Sequence, residues 1–220
     1  LDFSRTQLEQ AKARLGTGER YRYIAADIYR LPFVKGLFDG ATMIRTLHHM
    51  AEPALALAQV CRVLEPEATF ILEYANKRNL KSILRYLLGR QKWSPYTREA
   101  VEYIPLNFDF HPAAIRDWMD GAGFILERAL TVSHFRVSFL KKTLPVRLLV
   151  AVDALLQPTG GLFQLTPSVF LRARALKTGV KAPQGAFFAC PACAAPLDDT
   201  PPLIHCPACE KQYPVIDDIY

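Results

Sequence analysis

The sequence contains no long uninterrupted apolar run. Its most apolar stretch, residues 144–165, is interrupted by two prolines, two glycines, an arginine and an aspartate. Because a membrane-spanning helix needs about 20 predominantly apolar residues, we expect no helix of this chain to cross a bilayer. Basic residues at the start of the stretch allow a peripheral contact with a membrane or a lipid-like substrate. A helix inserted over the last two strands explains the same pattern, and we favour it.

An initiating methionine and a secretion signal are also missing. The chain opens with Leu1-Asp2-Phe3-Ser4, and we therefore expect its natural start to lie upstream and the protein to be cytoplasmic. Neither sign of charge dominates, because 27 lysines and arginines stand against 21 aspartates and glutamates. The net charge of +6 over 220 residues is compatible with RNA or another acidic substrate, but it is too weak to indicate one.

The sequence does contain an alternation of helical and extended patterns. Half of its residues are hydrophobic and 22% are charged, which is the balance of a folded domain. Ser4 to Gln7 matches a capping box that starts a helix, and Gly16 ends it. Helical patterns follow over residues 53–64, 79–88, 111–121 and 146–156, and strand patterns over 21–26, 38–46, 68–74, 124–131, 134–139 and 168–175. This order predicts an α/β fold with a doubly wound, mostly parallel sheet.

Two acidic residues stand where predicted strands end. Asp2 comes just before the capped helix, and Asp27 ends the strand over residues 21–26. Ligands of an open parallel sheet bind beyond the carboxyl ends of its strands. There, one carboxylate can accept both hydroxyls of a ribose and the other an adenine amino group. Alone, each aspartate is more often a helix cap or turn former, but the pair together with its flanking motifs favours a nucleotide.

Those flanking motifs resemble the type-11 family of class I S-adenosylmethionine-dependent methyltransferases. The family's A-D-x-x-x-L-P-F motif is present at residues 26–33. Its F-D-x-V-x-x-x-x-x-L-H-H segment is present at residues 38–49, with Gly40-Ala41 replacing a bulkier pair. Weaker matches are the R-x-L-K-P-G turn at residues 62–67 and the L-x-x-A-G-F motif at 119–124. The resemblance implies a Rossmann-like domain that transfers a methyl group from S-adenosylmethionine.

The resemblance also implies a set of cofactor-binding residues and exposes a gap. The implied residues are Asp2, Phe3, Asp27, Ile28, Arg45, Thr46 and Leu47. The family's first strand and helix, with the G-x-G-x-G loop that approaches the methionine part of the cofactor, have no counterpart in these 220 residues. We therefore expect a partial domain that binds cofactor weakly and is inactive by itself. A titration showing micromolar binding would contradict this expectation.

The residues that act on the methyl acceptor are harder to find. Methyl transfer is an in-line displacement that depends mainly on positioning and exclusion of water. A base is required only if the acceptor loses a proton. His48 and His49 follow the pocket-lining strand and are candidates for that base. The more ordinary arrangement is His48 packed below the cofactor and His49 in solvent. The acceptor, a small molecule or RNA, stays open.

The cysteines form a pattern of their own. Cys190 and Cys193 make one C-P-A-C pair, Cys206 and Cys209 make another, and 12 residues separate the pairs. In a chain without a secretion signal such pairs favour metal over disulfides. Four thiolates fill a tetrahedral structural zinc site. The segment that follows resembles the ending of small bacterial zinc-ribbon proteins, which are similar to the activator subunit of eukaryotic RNA and protein methyltransferases.

The predicted organisation has three parts, with alternatives for the function. A partial methyltransferase domain covers residues 1–177, a linker 178–186 and a zinc-ribbon-like module 187–220. One alternative is a non-catalytic methyltransferase-like scaffold that carries the ribbon. Another is an NAD-dependent oxidoreductase, which the absence of a Tyr-x-x-x-Lys pair disfavours.

Overall fold

The structure, a computed structural model, describes residues 1–18, 20–136, 138–176 and 179–220. It folds into two compact units, each built from distant parts of the chain. Unit 1 comprises residues 1–39, 59–66 and 177–220, and unit 2 comprises residues 40–58 and 67–176. The sequence-based division into a domain, a linker and a ribbon stays a prediction, and two of its boundary residues, Lys177 and Thr178, lie outside the described residues.

The α-helices among the described residues lie close to where the sequence predicts them, except the one at Ser138–Thr143, which overlaps a predicted strand. They are α1 (Arg5–Leu15), α2 (Pro53–Val63), α3 (Leu80–Leu87), α4 (Pro112–Ala122), α5 (Ser138–Thr143) and α6 (Val146–Leu156), with short 3₁₀ helices at Ile28–Arg30, Leu47–His49 and Gln157–Gly161. Ser4 caps α1 by accepting a hydrogen bond from the Gln7 amide, as its capping box predicts. Gly123 ends α4 in the left-handed conformation that favours glycine.

The strands form one larger sheet and three hairpin-like pairs. They are β1 (Phe38–Met43), β2 (Leu64–Ala75), β3 (Val101–Ile104), β4 (Asn107–Asp109), β5 (Phe124–Val132), β6 (Ser168–Ala175), β7 (Phe188–Ala189), β8 (Pro196–Leu197), β9 (Leu203–His205) and β10 (Gln212–Pro214). The larger sheet has the order β1-β2-β6-β5, and β6 runs antiparallel to both neighbours. The α/β class is confirmed, and the central sheet is mixed.

Two strand predictions differ from the structure. Residues 21–26 make only single-residue bridges, at Tyr21, Tyr23 and Ala25. The strand predicted over residues 134–139 is wrong. Ser133 has a positive φ of 69°, which breaks the extended chain after β5, and α5 begins at Ser138. Val137 in that stretch lies outside the described residues.

Each unit has its own hydrophobic core. In unit 2, the sheet residues Phe70, Leu72 and Leu171 are buried with Phe110 and Ile115, and the Phe70 and Phe124 rings stack at 4.9 Å. In unit 1, one cluster joins the N-terminal part of the chain to the cysteine-rich part; its buried members are Ile24, Leu31, Phe33, Val63, Phe188 and Ile204. The ribbon and the segment around Asp27 are therefore parts of one folded unit.

Candidate cofactor residues, cavity and metal centre

The two predicted nucleotide carboxylates lie on neighbouring backbone segments of unit 1. The Asp2 amide donates to the Ile24 carbonyl, and the Ala26 amide donates to the Asp2 carbonyl, both at 3.1 Å. This parallel pairing places Asp2 beside the segment that ends at Asp27. Both aspartates are exposed. Their role in cofactor binding stays a prediction.

Both aspartates also stabilise a local turn or helix start, as this residue type ordinarily does. Oδ1 of Asp2 accepts a hydrogen bond from the Ser4 amide at 2.8 Å, and Oδ1 of Asp27 accepts one from the Tyr29 amide at 2.9 Å. A carboxylate offers about four acceptor positions over its two oxygens, so one turn hydrogen bond leaves most of its capacity. The two functions are compatible.

The other implied cofactor residues are divided between the units. Phe3 is 83% exposed and Ile28 is half-buried, both in unit 1. Arg45, Thr46 and Leu47 belong to unit 2. Leu47 is fully buried, so only its backbone can meet a ligand, whereas Arg45 and Thr46 are exposed.

Unit 2 contains a cavity of about 890 Å³ at the carboxyl ends of β1 and β2, which we call the Glu73 cavity. Its lining residues are Arg45, His48, Glu73, Ala75, Asn107, Val132, Ser133, Phe135, Arg136, Val146, Leu149, Val150, Asp153, Ala154, Gln157, Pro167 and Ser168. Polar groups from the strand ends meet an apolar wall supplied by α6. A ligand here would have one polar end and one apolar face.

Glu73 is the buried acid of this cavity, and sequence reasoning missed it. One carboxylate oxygen accepts a hydrogen bond from the Arg45 amide at 2.9 Å, and the other accepts from the Ser168 hydroxyl. Arg45 itself has a positive φ of 56°, a conformation that this hydrogen bond helps to hold. The signal was present in the sequence, because an acidic residue interrupts the apolar strand at 68–74 near its end.

Of the two candidate bases, His48 lines the Glu73 cavity. Burial lowers its pKa below the ordinary value of 6.5, and the neighbouring His49 and Arg45 add to this, while Glu73 opposes it. His48 is therefore largely neutral at pH 7 and able to accept a proton. His49 is exposed, and its Nδ1 lies 3.0 Å from the Leu106 carbonyl oxygen, an arrangement in which Nδ1 donates.

His134 holds the apolar wall in place. The imidazole Nδ1 of His134 lies 3.0 Å from Oδ1 of Asp153 on α6, and the His134 amide donates to the same oxygen at 2.9 Å. The imidazole Nε2 contacts the buried Thr131 hydroxyl at 3.2 Å on β5. These contacts tie α6 to the end of β5, and the sequence gave no signal for them.

The four cysteines of the two C-P-A-C pairs converge. Their sulfurs all lie within 4.8 Å of one another, with Cys190 to Cys209 and Cys193 to Cys206 each at 3.6 Å. Tetrahedral zinc with Zn–S bonds of about 2.3 Å would place its sulfurs about 3.8 Å apart. Over the described residues, no other group of three or more potential ligands converges in this way. The cluster is compatible with a metal site.

The two cysteine loops have the same backbone structure. The Cys190 amide donates to the Ala195 carbonyl, and the Cys206 amide donates to the Lys211 carbonyl five residues on in each case. The residue after each second cysteine, Ala194 or Glu210, has a positive φ. A phenol hydroxyl, that of Tyr213, contacts the Cys190 sulfur at 3.1 Å.

The end of the chain pairs with the backbone segment that leads to Asp27. The Tyr220 amide donates to the Tyr23 carbonyl at 2.9 Å, and the Ala25 amide donates to the Tyr220 carbonyl at 2.7 Å. Residues 23–26 therefore have Asp2 on one side and Tyr220 on the other. Salt bridges from Arg5 and Lys12 of α1 to Asp217 and Asp218 lie beside this pairing.

Known proteins are similar in sequence mainly to the first part of the chain. A family model described as a methyltransferase domain matches residues 1–72. A demethylmenaquinone methyltransferase from Protochlamydia amoebophila is 33% identical over 145 residues, which are 57% of each chain. The chain thus spans little more than half the length of this curated relative, and half or less of the next three.

Solved structures with low sequence identity share the fold. An S-adenosylmethionine-dependent methyltransferase from Mesorhizobium loti matches with a TM-score of 0.52 and 17% identity, covering 78% of this chain and 77% of that one. A second match, also at 0.52 with 14% identity, comes from a complex of the Haloferax volcanii Trm112 methyltransferase activator with a methyltransferase, and covers 79% of this chain and 69% of that one. No helix among the described residues is long and apolar enough to cross a membrane.

Proposed function

We propose that the chain carries a class I S-adenosylmethionine-dependent methyltransferase domain and that the protein methylates a small acceptor held in the Glu73 cavity. The methyl group would pass from the sulfonium sulfur to the acceptor in a single displacement, with the thioether as the leaving group. The acceptor loses a proton, which His48 accepts. The products are S-adenosylhomocysteine and the methylated acceptor.

Two features of unit 1 suit the adenosyl group of the cofactor. The Asp2 and Asp27 carboxylates follow adjacent parallel backbone segments and keep acceptor capacity beyond their turn hydrogen bonds. One carboxylate would accept the two ribose hydroxyls, and the other the adenine amino group. When bound, the cofactor supplies an electrophilic methyl group on a leaving thioether that needs no protonation.

The observation that carries the proposed acceptor class is the composition of the Glu73 cavity. Its polar lining includes His48, Glu73 and Ser168, and its apolar lining includes Val146, Leu149 and Val150 from α6. These groups suit a flat ring that bears an ionisable hydroxyl and an apolar substituent. The named activity of the Protochlamydia relative, on a demethylated menaquinone, supports an acceptor of this class. RNA is the less favoured candidate, because an aliphatic wall offers its phosphates nothing.

We also propose that the four cysteines hold one structural zinc ion. Burial opposes ionisation of Cys190, but hydrogen bonds with Tyr213 and the nearby backbone amides prevail and lower the pKa of its thiol to about 6, whereas burial and the neighbouring sulfurs raise the pKa of Cys193 and Cys209. A bound divalent cation deprotonates the thiols that coordinate it. A thiolate at neutral pH is the form that binds zinc. Four thiolates leave no open coordination position, so the ion would not take part in methyl transfer.

The module would support cofactor binding from within the same unit. Phe188 and Ile204 of the ribbon pack in one cluster with Ile24 and Leu31, and Tyr220 pairs with the segment that carries Asp27. The matched complex, which joins a methyltransferase with its activator, supports the idea that such a domain can work together with a second module. Here that module would be part of the same chain.

The experiment uses the product of the whole gene, loaded with zinc. We expect transfer of labelled methyl from S-adenosylmethionine to a prenylated 1,4-naphthoquinol, and none to RNA. Asp2→Asn and Asp27→Asn keep the turn acceptor but remove a charge, so cofactor affinity should fall about tenfold or more, the usual cost of a hydrogen bond to a charged group. The matched control is Asp120→Asn, an exposed position on α4.

Two results would contradict the proposal. Unchanged cofactor affinity in both variants would remove the nucleotide role of the carboxylates. Labelling of RNA but of no quinol or phenol would remove the proposed acceptor class and leave the methyl donor in place.

A further inference from the structure

Unit 2 has a second groove, distinct in chemistry from the Glu73 cavity. It measures about 980 Å³ and is lined by Asn79, Leu80, Lys81, Ser82, Leu84, Arg85, Leu88, Arg90, Tyr103, Thr131, Ser133, His134, Arg136, Leu156, Thr159, Phe163, Leu165, Thr166 and Pro167. Four of these residues are lysine or arginine, and none of the described lining residues is acidic. We call it the leucine groove.

One wall of the leucine groove is a helix that presents apolar side chains to solvent. Leu80, Leu84, Leu87 and Leu88 are 52%, 50%, 68% and 65% exposed. Their spacing places them on one face of α3, where a soluble helix would carry polar residues. The buried residue of this helix is Ser82. The helix is therefore oriented with its apolar stripe outward.

Apolar exposure continues beyond the groove along α6, of which Leu156 lines the groove and Val146 and Val150 line the Glu73 cavity. Helix α6 has the sequence VRLLVAVDALL, and none of its residues is buried. Val146, Val150 and Leu155 are largely exposed, as are Leu162 and Phe163 in the turn that follows. An exposed apolar surface of this extent marks a site of interaction with another molecule or with a membrane.

The charge beside this surface identifies its partner. Residues 77–98 contain seven lysines and arginines and no acidic residue, which exceeds the net charge of +6 of the whole chain. Lys77 is buried and donates to the Thr97 and Glu99 carbonyls, but Lys81, Arg85 and Arg90 are exposed beside the leucines. Leucines that insert between acyl chains while neighbouring cations meet phosphates are the signature of a helix lying in an anionic membrane surface.

We infer that the leucine groove and its rim dock on an anionic lipid bilayer, with α3 lying in the interface. A protein partner would need carboxylates within an otherwise apolar face, and RNA would gain nothing from the leucines. A single fatty acid would fill the groove but would leave Leu87, Val150 and Leu162 uncovered. The leucine groove and the Glu73 cavity share Ser133, Arg136 and Pro167 in their linings, so docking would bring the membrane close to the proposed acceptor site.

The test is co-sedimentation of the zinc-loaded whole gene product with vesicles. We expect binding to vesicles of phosphatidylglycerol and phosphatidylcholine, at least tenfold weaker binding to phosphatidylcholine alone, and loss of binding in 0.5 M salt. The Leu84→Ser/Leu87→Ser variant should bind at least tenfold more weakly, because it loses two apolar side chains that would enter the bilayer. The variant should stay folded, because both side chains are exposed. The Lys81→Glu/Arg85→Glu variant should lose the preference for anionic lipid.

Matched controls come from α1, which belongs to unit 1. Leu15→Ser and Arg14→Glu replace an exposed leucine and an exposed arginine outside the groove and should leave vesicle binding unchanged. Circular dichroism checks that each variant is folded. Cofactor affinity is measured separately, so failure of the docking inference can be told from failure of the proposed methyl transfer.

Three results would overturn the inference. The first is the absence of binding to anionic vesicles. The second is equal binding by the folded leucine variant. The third is release of the protein from vesicles by a soluble protein segment or by RNA, at a lower concentration than is needed with anionic lipid as the competitor.

Discussion

At the scale of single residues, His48 is the side chain on which the proposed proton transfer depends. Its pKa is lowered by burial first and by His49 and Arg45 next. Only the neutral imidazole accepts a proton, so activity should be constant above the His48 pKa and fall as the pH drops through it, on the acid side of 6.5. His48→Gln should lower kcat/KM about 10²-fold or more. It should also abolish this fall in activity at low pH, the acid limb of the pH profile.

His49→Gln is the control for that experiment. The two rings are neighbours, with centroids 4.0 Å apart, but His49 is exposed and contacts the Leu106 carbonyl. The His49 variant should keep most of its activity and its acid limb. An acid limb that persists unchanged in the His48 variant would show that another group accepts the proton.

Which site residues could be found in the sequence depended on whether they had a motif. The aspartates, the Leu-His-His segment and the cysteines all belong to short patterns whose spacing is itself the signal. Glu73, Ser168 and the His134–Asp153 pair come together only through the pairing of β2 with β6 and the packing of α6. No single-sequence pattern encodes such contacts, because the residues lie about 20 to 95 positions apart.

At the scale of elements, the sharpest structural constraint is where the turn after α6 packs against β5. Gly160 is buried, and a Cβ there would lie 2.8 Å from both the Ala129 carbonyl oxygen and the Thr131 amide nitrogen. Neither backbone atom can move without disturbing the sheet. Gly160→Ala should therefore lower the free energy of unfolding by about 1–3 kcal/mol, as overpacking does.

The neighbouring glycine provides the control. A Cβ on Gly161 would meet nothing within 4 Å, so Gly161→Ala should be neutral or slightly stabilising. Urea unfolding measures both variants. Equal stability of the two would mean that the turn does not pack against β5 as described.

Element prediction succeeded where a local signal existed. The capping serine, the prolines in the first turns of α2 and α4, and the glycine stops all placed helix ends within one or two residues. It failed at residues 134–139, where alternating apolar residues suggested a strand. There the positive φ of Ser133 and the hydrogen bonds of His134 to Asp153 redirect the chain into a turn. The direction of β6 could not be predicted from the sequence, because hydrophobic patterning does not distinguish parallel from antiparallel neighbours.

At the scale of the whole molecule, the proposed metal site and the proposed adenosyl site depend on one hydrophobic cluster. Structural zinc supplies on the order of 10 kcal/mol to a small cysteine module. Removing it with a chelator should therefore unfold the ribbon and expose Ile24, Leu31 and Phe33, which pack against Phe188 and Ile204. Hydrogen exchange should show loss of protection over residues 20–36 as well as 187–220, and cofactor affinity should fall with it.

Cysteine variants distinguish the effect of losing the metal from any other effect of the chelator. Cys206→Ser should abolish bound zinc and reproduce the loss of protection, whereas Cys61→Ala, outside the cluster, should keep one zinc per chain. Persistent protection of residues 20–36 in metal-free protein would show that the ribbon does not support this segment.

The matching backbone of the two cysteine loops has a consequence for how such a module can arise. Residues 188–197 and 204–213 follow the same course, with Phe188 and Ile204, and Cys190 and Cys206, in corresponding places. One such hairpin brings only two thiolates, so it could close a four-coordinate site only by pairing with a second copy of itself. Joining the copies in tandem replaces that encounter between separate molecules with one inside a single chain, at a far higher effective concentration.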